Sequence, residues 1–167
     1  MDRPRATNLT MYALCGLSSI LSAWPNYQII NIGLLLTFVL LIVAYLVRSR
    51  ALEDSLVHHH MTFVIRTLWI YSALATVSML VAGLLIYEKG DQTAFTGLMD
   101  QVNSGVVPSE DDLNQIEAAY LSTNMGLIIE SYLTCMFPAL LYLVWRVSRG
   151  ASRAHRNFRV QSLYSWI

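Results

Sequence analysis

Between Arg5 and Arg48 the chain runs for 42 residues without a charged side chain, when roughly 20 apolar residues suffice to cross a bilayer core. Trp24-Pro25-Asn26-Tyr27 interrupts that run with a turn carrying interfacial aromatics, so it predicts two helices, over residues 8–24 and 29–47. The first is short and rich in small polar side chains; the second is mostly Leu, Ile and Val and ends at Arg48 and Arg50. Residues 67–87 are uncharged and reach about 31 Å at 1.5 Å per residue, a third span. Residues 123–147 make a fourth, holding Glu130 and Pro138. The pattern predicts an all-α integral membrane bundle of about four transmembrane helices in a single domain over residues 1–167.

Finer periodicities fill the intervals. In residues 51–66, Leu52, Leu56, His59 and Phe63 are spaced four, three and four apart, an amphipathic pattern expected to lie along the membrane surface between helices two and three. Small side chains form two stripes: Cys15, Ser18, Ser19, Ser22 and Ala23 in the first span, and Ser72, Ala75, Thr76, Ala82 and Gly83 in the third. Such stripes let helix backbones approach closely where lipid is as apolar as leucine, so both are expected to face protein. Ser109 and Asp112 have capping-box spacing ahead of Leu113, Ile116 and Tyr120, predicting a helix within the 88–119 loop that continues into the fourth span. Pro138 lacks a donor and crowds the Thr134 carbonyl, predicting a kink.

Charge sorts these elements across the bilayer. Formal net charge is zero, yet ten of the eleven basic residues lie at the N-terminus, between Arg48 and Arg66, or from Arg146 onward, whereas seven of the eleven acidic residues lie between Glu88 and Glu117. Basic residues stay on the cytoplasmic side during insertion, which predicts cytoplasmic termini, an acidic outer loop and an even number of crossings. Arg3 and Arg5 before a short apolar run also match a signal peptide, but no small-residue cleavage site precedes Trp24. At 148–167, a basic tail led by Arg146, Arg149, Arg153, Arg156 and Arg159 is expected to lie on anionic head groups, with Val147, Ala151, Ala154 and Phe158 on its apolar face. The absence of an aromatic stacking platform favours lipid over nucleic acid as its partner. Cys15 and Cys135 fall within apolar stretches, as buried free thiols.

Few residues carry candidate chemistry. Glu130 is the one ionisable side chain well inside a span, and two readings stand: an interhelical hydrogen bond to Ser18, Ser19 or Ser78, or a polar pathway for a proton or cation. His58, His59 and His60 are consecutive, and on a helix successive side chains diverge by about 100°, which argues against a metal site. Arg66 is expected to anchor the third helix at the inner interface or to pair with Glu53 or Asp54. There is no Gly-rich phosphate loop, nucleophile elbow, zinc-protease motif or paired intramembrane carboxylates, so neither enzymatic activity nor a cofactor is expected.

One pattern is familiar. His59 and His60, then Phe63, then Arg66-Thr67-Leu68-Trp69-Ile70, with Trp145-Arg146 and Gly150 in the last helix, resemble the small bacterial membrane proteins of unknown function related to the chloroplast twenty-kilodalton Tic family. The resemblance covers residues 29–69 and 141–167 and implies four helices in a bacterial inner membrane, without implying protein import. Thr62 and Val64 depart from the pattern, and the acidic loop is an insertion. The function expected is that of a non-enzymatic accessory or scaffold protein with a membrane or periplasmic protein partner; the alternative is a small channel or transporter subunit with Glu130 in a polar pathway.

Overall fold

The computed structural model describes residues 3–24 and 26–160; Pro25 of the predicted turn and residues 161–167 of the predicted tail lie outside them. Among the described residues every regular element is helical: α1 (Arg3–Ser22), α2 (Tyr27–Arg50), α3 (Leu56–Lys89), α4 (Thr93–Asn103) and α5 (Glu110–His155). Three of these, α2, α3 and α5, are long and apolar enough to cross a membrane. At 20 residues, α1 has the length but falls short in hydropathy.

Two compact units emerge, one from residues 1–76 with 136–167 and the other from 77–135. In the first, α1 packs along α2. Asn26 starts α2 by accepting bonds from the backbone N–H of Gln28 (3.1 Å) and Ile29 (3.3 Å), satisfying donors the helix itself leaves open. α2 then buries only a narrow stripe, Gly33, Thr37, Leu40 and Ala44, at spacings of four, three and four. A Cβ at Gly33 would overlap the backbone of Leu21 and Ser22, so glycine is what lets the two helices meet. The bulky residues Ile32, Leu35, Phe38, Ile42 and Leu46 point outward, as suits a lipid-facing surface.

α1 is built the other way round. Its buried face is Asn8, Met11, Tyr12, Cys15, Ser18, Ser19 and Ser22, at i, i+3 and i+4 spacing, and its exposed residues include Leu17 and Ile20. The small stripe expected to face protein does so. The matching expectation for the third span fails: Ser72, Thr76 and Gly83 are exposed, and only Ala82 of that stripe is buried. Ser19 Oγ donates to the Cys15 carbonyl at 2.7 Å and Thr76 Oγ1 to that of Ser72 at 2.9 Å, so each hydroxyl is satisfied on its own helix and neither needs a neighbour.

The 51–66 segment is not a separate surface helix. Its helical part forms the opening turns of α3, and His60, Met61, Phe63, Val64 and Ile65 are all buried. Nearly every side of this stretch meets protein, which the apolar stripe counted from sequence does not reveal.

α5 runs 46 residues, about 69 Å at 1.5 Å per residue, far more than a bilayer requires. It begins with the expected box: Ser109 Oγ donates to Asp112 Oδ2 at 2.7 Å while the Asp112 N–H donates back to Ser109 Oγ at 3.2 Å. The helix continues unbroken past Pro138. In the second unit, Asn124 receives the Asp91 N–H at 2.7 Å and returns a bond to the Asp91 carbonyl at 3.0 Å. The Phe95 and Tyr120 rings meet at 4.9 Å. α4 itself contains no buried residue.

Candidate functional site

The densest collection of polar side chains in an apolar setting lies within the first unit, where α1, α3 and the end of α5 meet. Tyr12 is the largest fully buried side chain, and its hydroxyl lies 2.9 Å from His60 Nδ1. His60 Nε2 is 3.1 Å from the Phe158 carbonyl oxygen. A carbonyl only accepts, so a neutral imidazole with its proton on Nε2 satisfies both contacts, receiving the tyrosine proton at Nδ1. The Tyr12 ring also meets His60 edge-on at 5.7 Å and Phe63 at 6.4 Å. Gly150 makes this possible, because a Cβ there would overlap the Tyr12 ring.

Phe158 reaches His60 through the way α5 ends. Asn157 has φ 57°, the left-handed conformation that asparagine tolerates. The Phe158 N–H bonds to the Arg153 carbonyl at 2.9 Å and the Asn157 N–H to the Ala154 carbonyl at 3.2 Å, a Schellman motif that turns the chain back over the helix end. Val160 is buried beyond it.

Two members of this interior lack ordinary compensation. Asn8 is completely buried with neither Oδ1 nor Nδ2 hydrogen-bonded, a deficit of about 1–3 kcal/mol. Arg146 is 2% exposed and has no carboxylate partner among the described residues. Its guanidinium lies 3.9 Å from the centroid of Phe63 and its Nε–H approaches Thr67 Oγ1 at 3.4 Å. Thr67 spends its own proton on the Phe63 carbonyl at 2.8 Å, leaving lone pairs for the arginine. Together these offset part of the desolvation of a buried cation, the ring face contributing about 2 kcal/mol.

Arg146 is therefore not part of a lipid-facing tail. It continues the buried stripe Met136, Ala139, Leu143, Arg146, Gly150 and Ala154, whose spacings of three or four were the available signal. Val147 and Ala151 likewise pack on the core instead of a leaflet. The remaining tail arginines, Arg149, Arg153, Arg156 and Arg159, line an open groove of about 730 Å³ with Ser152 and Phe158. Arg153 donates to the Arg159 carbonyl at 3.4 Å, holding the returning segment beside the helix.

The other residues singled out from sequence separate. Glu130 is exposed, while Ser18 and Ser19 both donate to the Cys15 carbonyl and Ser78 is half-buried. The motif residues divide between two faces of α3: His60 and Phe63 point into the core, whereas Arg66 and Trp69 border a second groove with His58. His59 is half-buried with both ring nitrogens unpartnered. Sequence reasoning missed Asn8 and Tyr12 because a short, polar apolar run reads as a weak span, although their i, i+4 spacing ahead of Cys15 and Ser19 continues the stripe it did find. Compared with family models, curated proteins and solved structures, the chain matches none of them.

Proposed function

We propose that the chain is a non-enzymatic accessory or scaffold protein of a bacterial inner membrane that engages a protein partner through its outer acidic unit. In this reading α1, α2, α3 and α5 all cross the bilayer, both ends are cytoplasmic, and Arg149, Arg153, Arg156 and Arg159 meet anionic head groups. The resemblance of His59, His60, Phe63, Arg66 and Trp69 to bacterial relatives of the twenty-kilodalton Tic family supports the location.

The observation that carries the partner reading is α4. Phe95, Met99 and Val102, at i, i+4 and i+7, are all exposed, Met99 at 62%, and Val106 and Val107 extend the apolar surface. Helices that rest on lipid carry Lys and Arg on the polar face. This one lies among Asp91, Asp100, Glu110, Asp111 and Asp112, an unfavourable neighbour for anionic lipid and a favourable one for a basic, apolar protein surface. The channel reading has less support, since Glu130 is exposed and both Ser18 and Ser19 donate to the Cys15 carbonyl.

Photo-crosslinking from position 99 in native membranes tests this. A single protein neighbour is expected, lost when Phe95 and Val102 are both replaced by Ser. Adducts to lipid alone reject the partner.

A further inference from the structure

A groove of about 320 Å³ runs between the last turns of α2 and the opening turns of α3, lined by Tyr45 and Arg48 on one side and His58, Thr62, Ile65, Arg66 and Trp69 on the other. The α3 residues fall at i, i+4, i+7, i+8 and i+11, one helical face. Two arginines and a histidine line it, and none of the seven lining residues is acidic. His58 Nδ1 is buried without a partner. At the rim the Trp69 Nε1–H donates to the Tyr45 hydroxyl at 3.2 Å, an aromatic pair of the kind found at head-group level.

The surface that continues from this rim carries no charge. On α2, Ile42 and Phe38 lie one and two turns before Tyr45 and are exposed. On α3, Ser72, Ala73 and Thr76 follow Trp69 and are also exposed, which leaves the small-residue face open instead of packed against a helix. A cationic pocket that leads into a smooth track between bulky outward side chains has the form of an amphiphile.

We propose that this groove holds the phosphate of an anionic glycerophospholipid from the inner leaflet, with an acyl chain lying along Phe38, Ile42 and Thr76. Arg48 and Arg66 bind phosphate oxygens, and the Tyr45–Trp69 pair marks the boundary between head group and chain. A zwitterionic head group brings its own cation and neutralises less of the pocket's charge. The proposal rests on the membrane-spanning reading and is independent of any partner on α4.

The full chain, purified in non-ionic detergent, is titrated with phosphatidylglycerol, phosphatidylcholine or inorganic phosphate and followed by native mass spectrometry. One phosphatidylglycerol should remain bound, preferred over phosphatidylcholine by about thirtyfold, the scale expected of two arginines at a membrane surface. R48Q/R66Q should abolish that preference while R153Q/R156Q keeps it, which separates this site from diffuse attraction to the tail. Thr76→Trp, at an exposed position where folding is not at stake, should weaken retention by blocking the track with both arginines in place. Equal retention of the two lipids, an unchanged preference in R48Q/R66Q, or unaltered retention in Thr76→Trp overturns the proposal. Displacement of the lipid by equimolar inorganic phosphate overturns it in favour of a soluble anion. A chain that stays monodisperse without detergent instead removes the membrane-spanning reading beneath it.

Discussion

α1 and α2 have similar lengths and lie side by side, yet each turns a different chemistry toward its neighbour. α1 buries Asn8, Tyr12, Cys15, Ser18, Ser19 and Ser22 and exposes Leu17 and Ile20; α2 buries Gly33, Thr37 and Ala44 around Leu40 and exposes eight larger apolar side chains. Against lipid, an apolar side chain gains little by leaving the surface, so contacts are made by groups that pack closely or hydrogen-bond. Both helices make their contacts with such groups, but α1 gives nearly half its circumference to them and α2 only a stripe. Hydropathy therefore finds α2 and passes over α1. A low hydropathy score marks the more enclosed helix here.

The largest expected effect breaks the contact between them. Gly33→Leu drives a side chain into the backbone of Leu21 and Ser22, which have no rotamer to yield, and should cost at or above the upper end of the roughly 1–3 kcal/mol typical of overpacking. Gly83→Leu is the control, since a Cβ there meets nothing within 4 Å; thermal unfolding in detergent should leave it unchanged. Next, Tyr12→Phe keeps the ring but strips His60 Nδ1 of its partner, a loss of about 1–3 kcal/mol by the same measurement. Asn8→Leu sharpens the comparison from the other side. Its amide makes no hydrogen bond, so the variant should be neutral or up to about 2 kcal/mol more stable; marked destabilisation would mean the amide has a partner.

The smallest effect lies in the second unit. Asp91 Oδ1 accepts the Thr93 N–H at 2.9 Å, and this backbone bond, followed by one from the Thr93 side chain, holds the Asp91 carboxyl below the usual carboxylate range. A depressed pKa contributes stability above the unfolded-state value and loses it as pH falls through the folded one. Amide exchange at the start of α4 should therefore quicken only on strong acidification, and Asp91→Asn should remove most of that dependence.

Sequence carried the spans best where lipid alone decides. The apolar run of α2, the long uncharged part of α3, and the Ser109–Asp112 box that opens α5 were all legible, because each depends on local composition or spacing. The buried polar face of α1 was half legible: the Cys15–Ser22 stripe stood out, while Asn8 and Tyr12 did not. Arg146 was the clearest misreading. Four further arginines follow it in α5 and the returning segment, and charge counting grouped all five, whereas its burial depends on Phe63 and Thr67, about eighty residues away in sequence. Exposure of the Ser72–Thr76 face was equally out of reach, since small side chains suit a close neighbour or a lipid chain alike.

The central claim is that α2 shows protein a narrow stripe and shows lipid everything else. Spin labels placed singly along residues 29–47 in nanodiscs measure it through oxygen accessibility. The account predicts a helical period with minima at 33, 37, 40 and 44 and maxima at 32, 35, 38, 42 and 46. A flat profile, or maxima at the buried stripe, would contradict it.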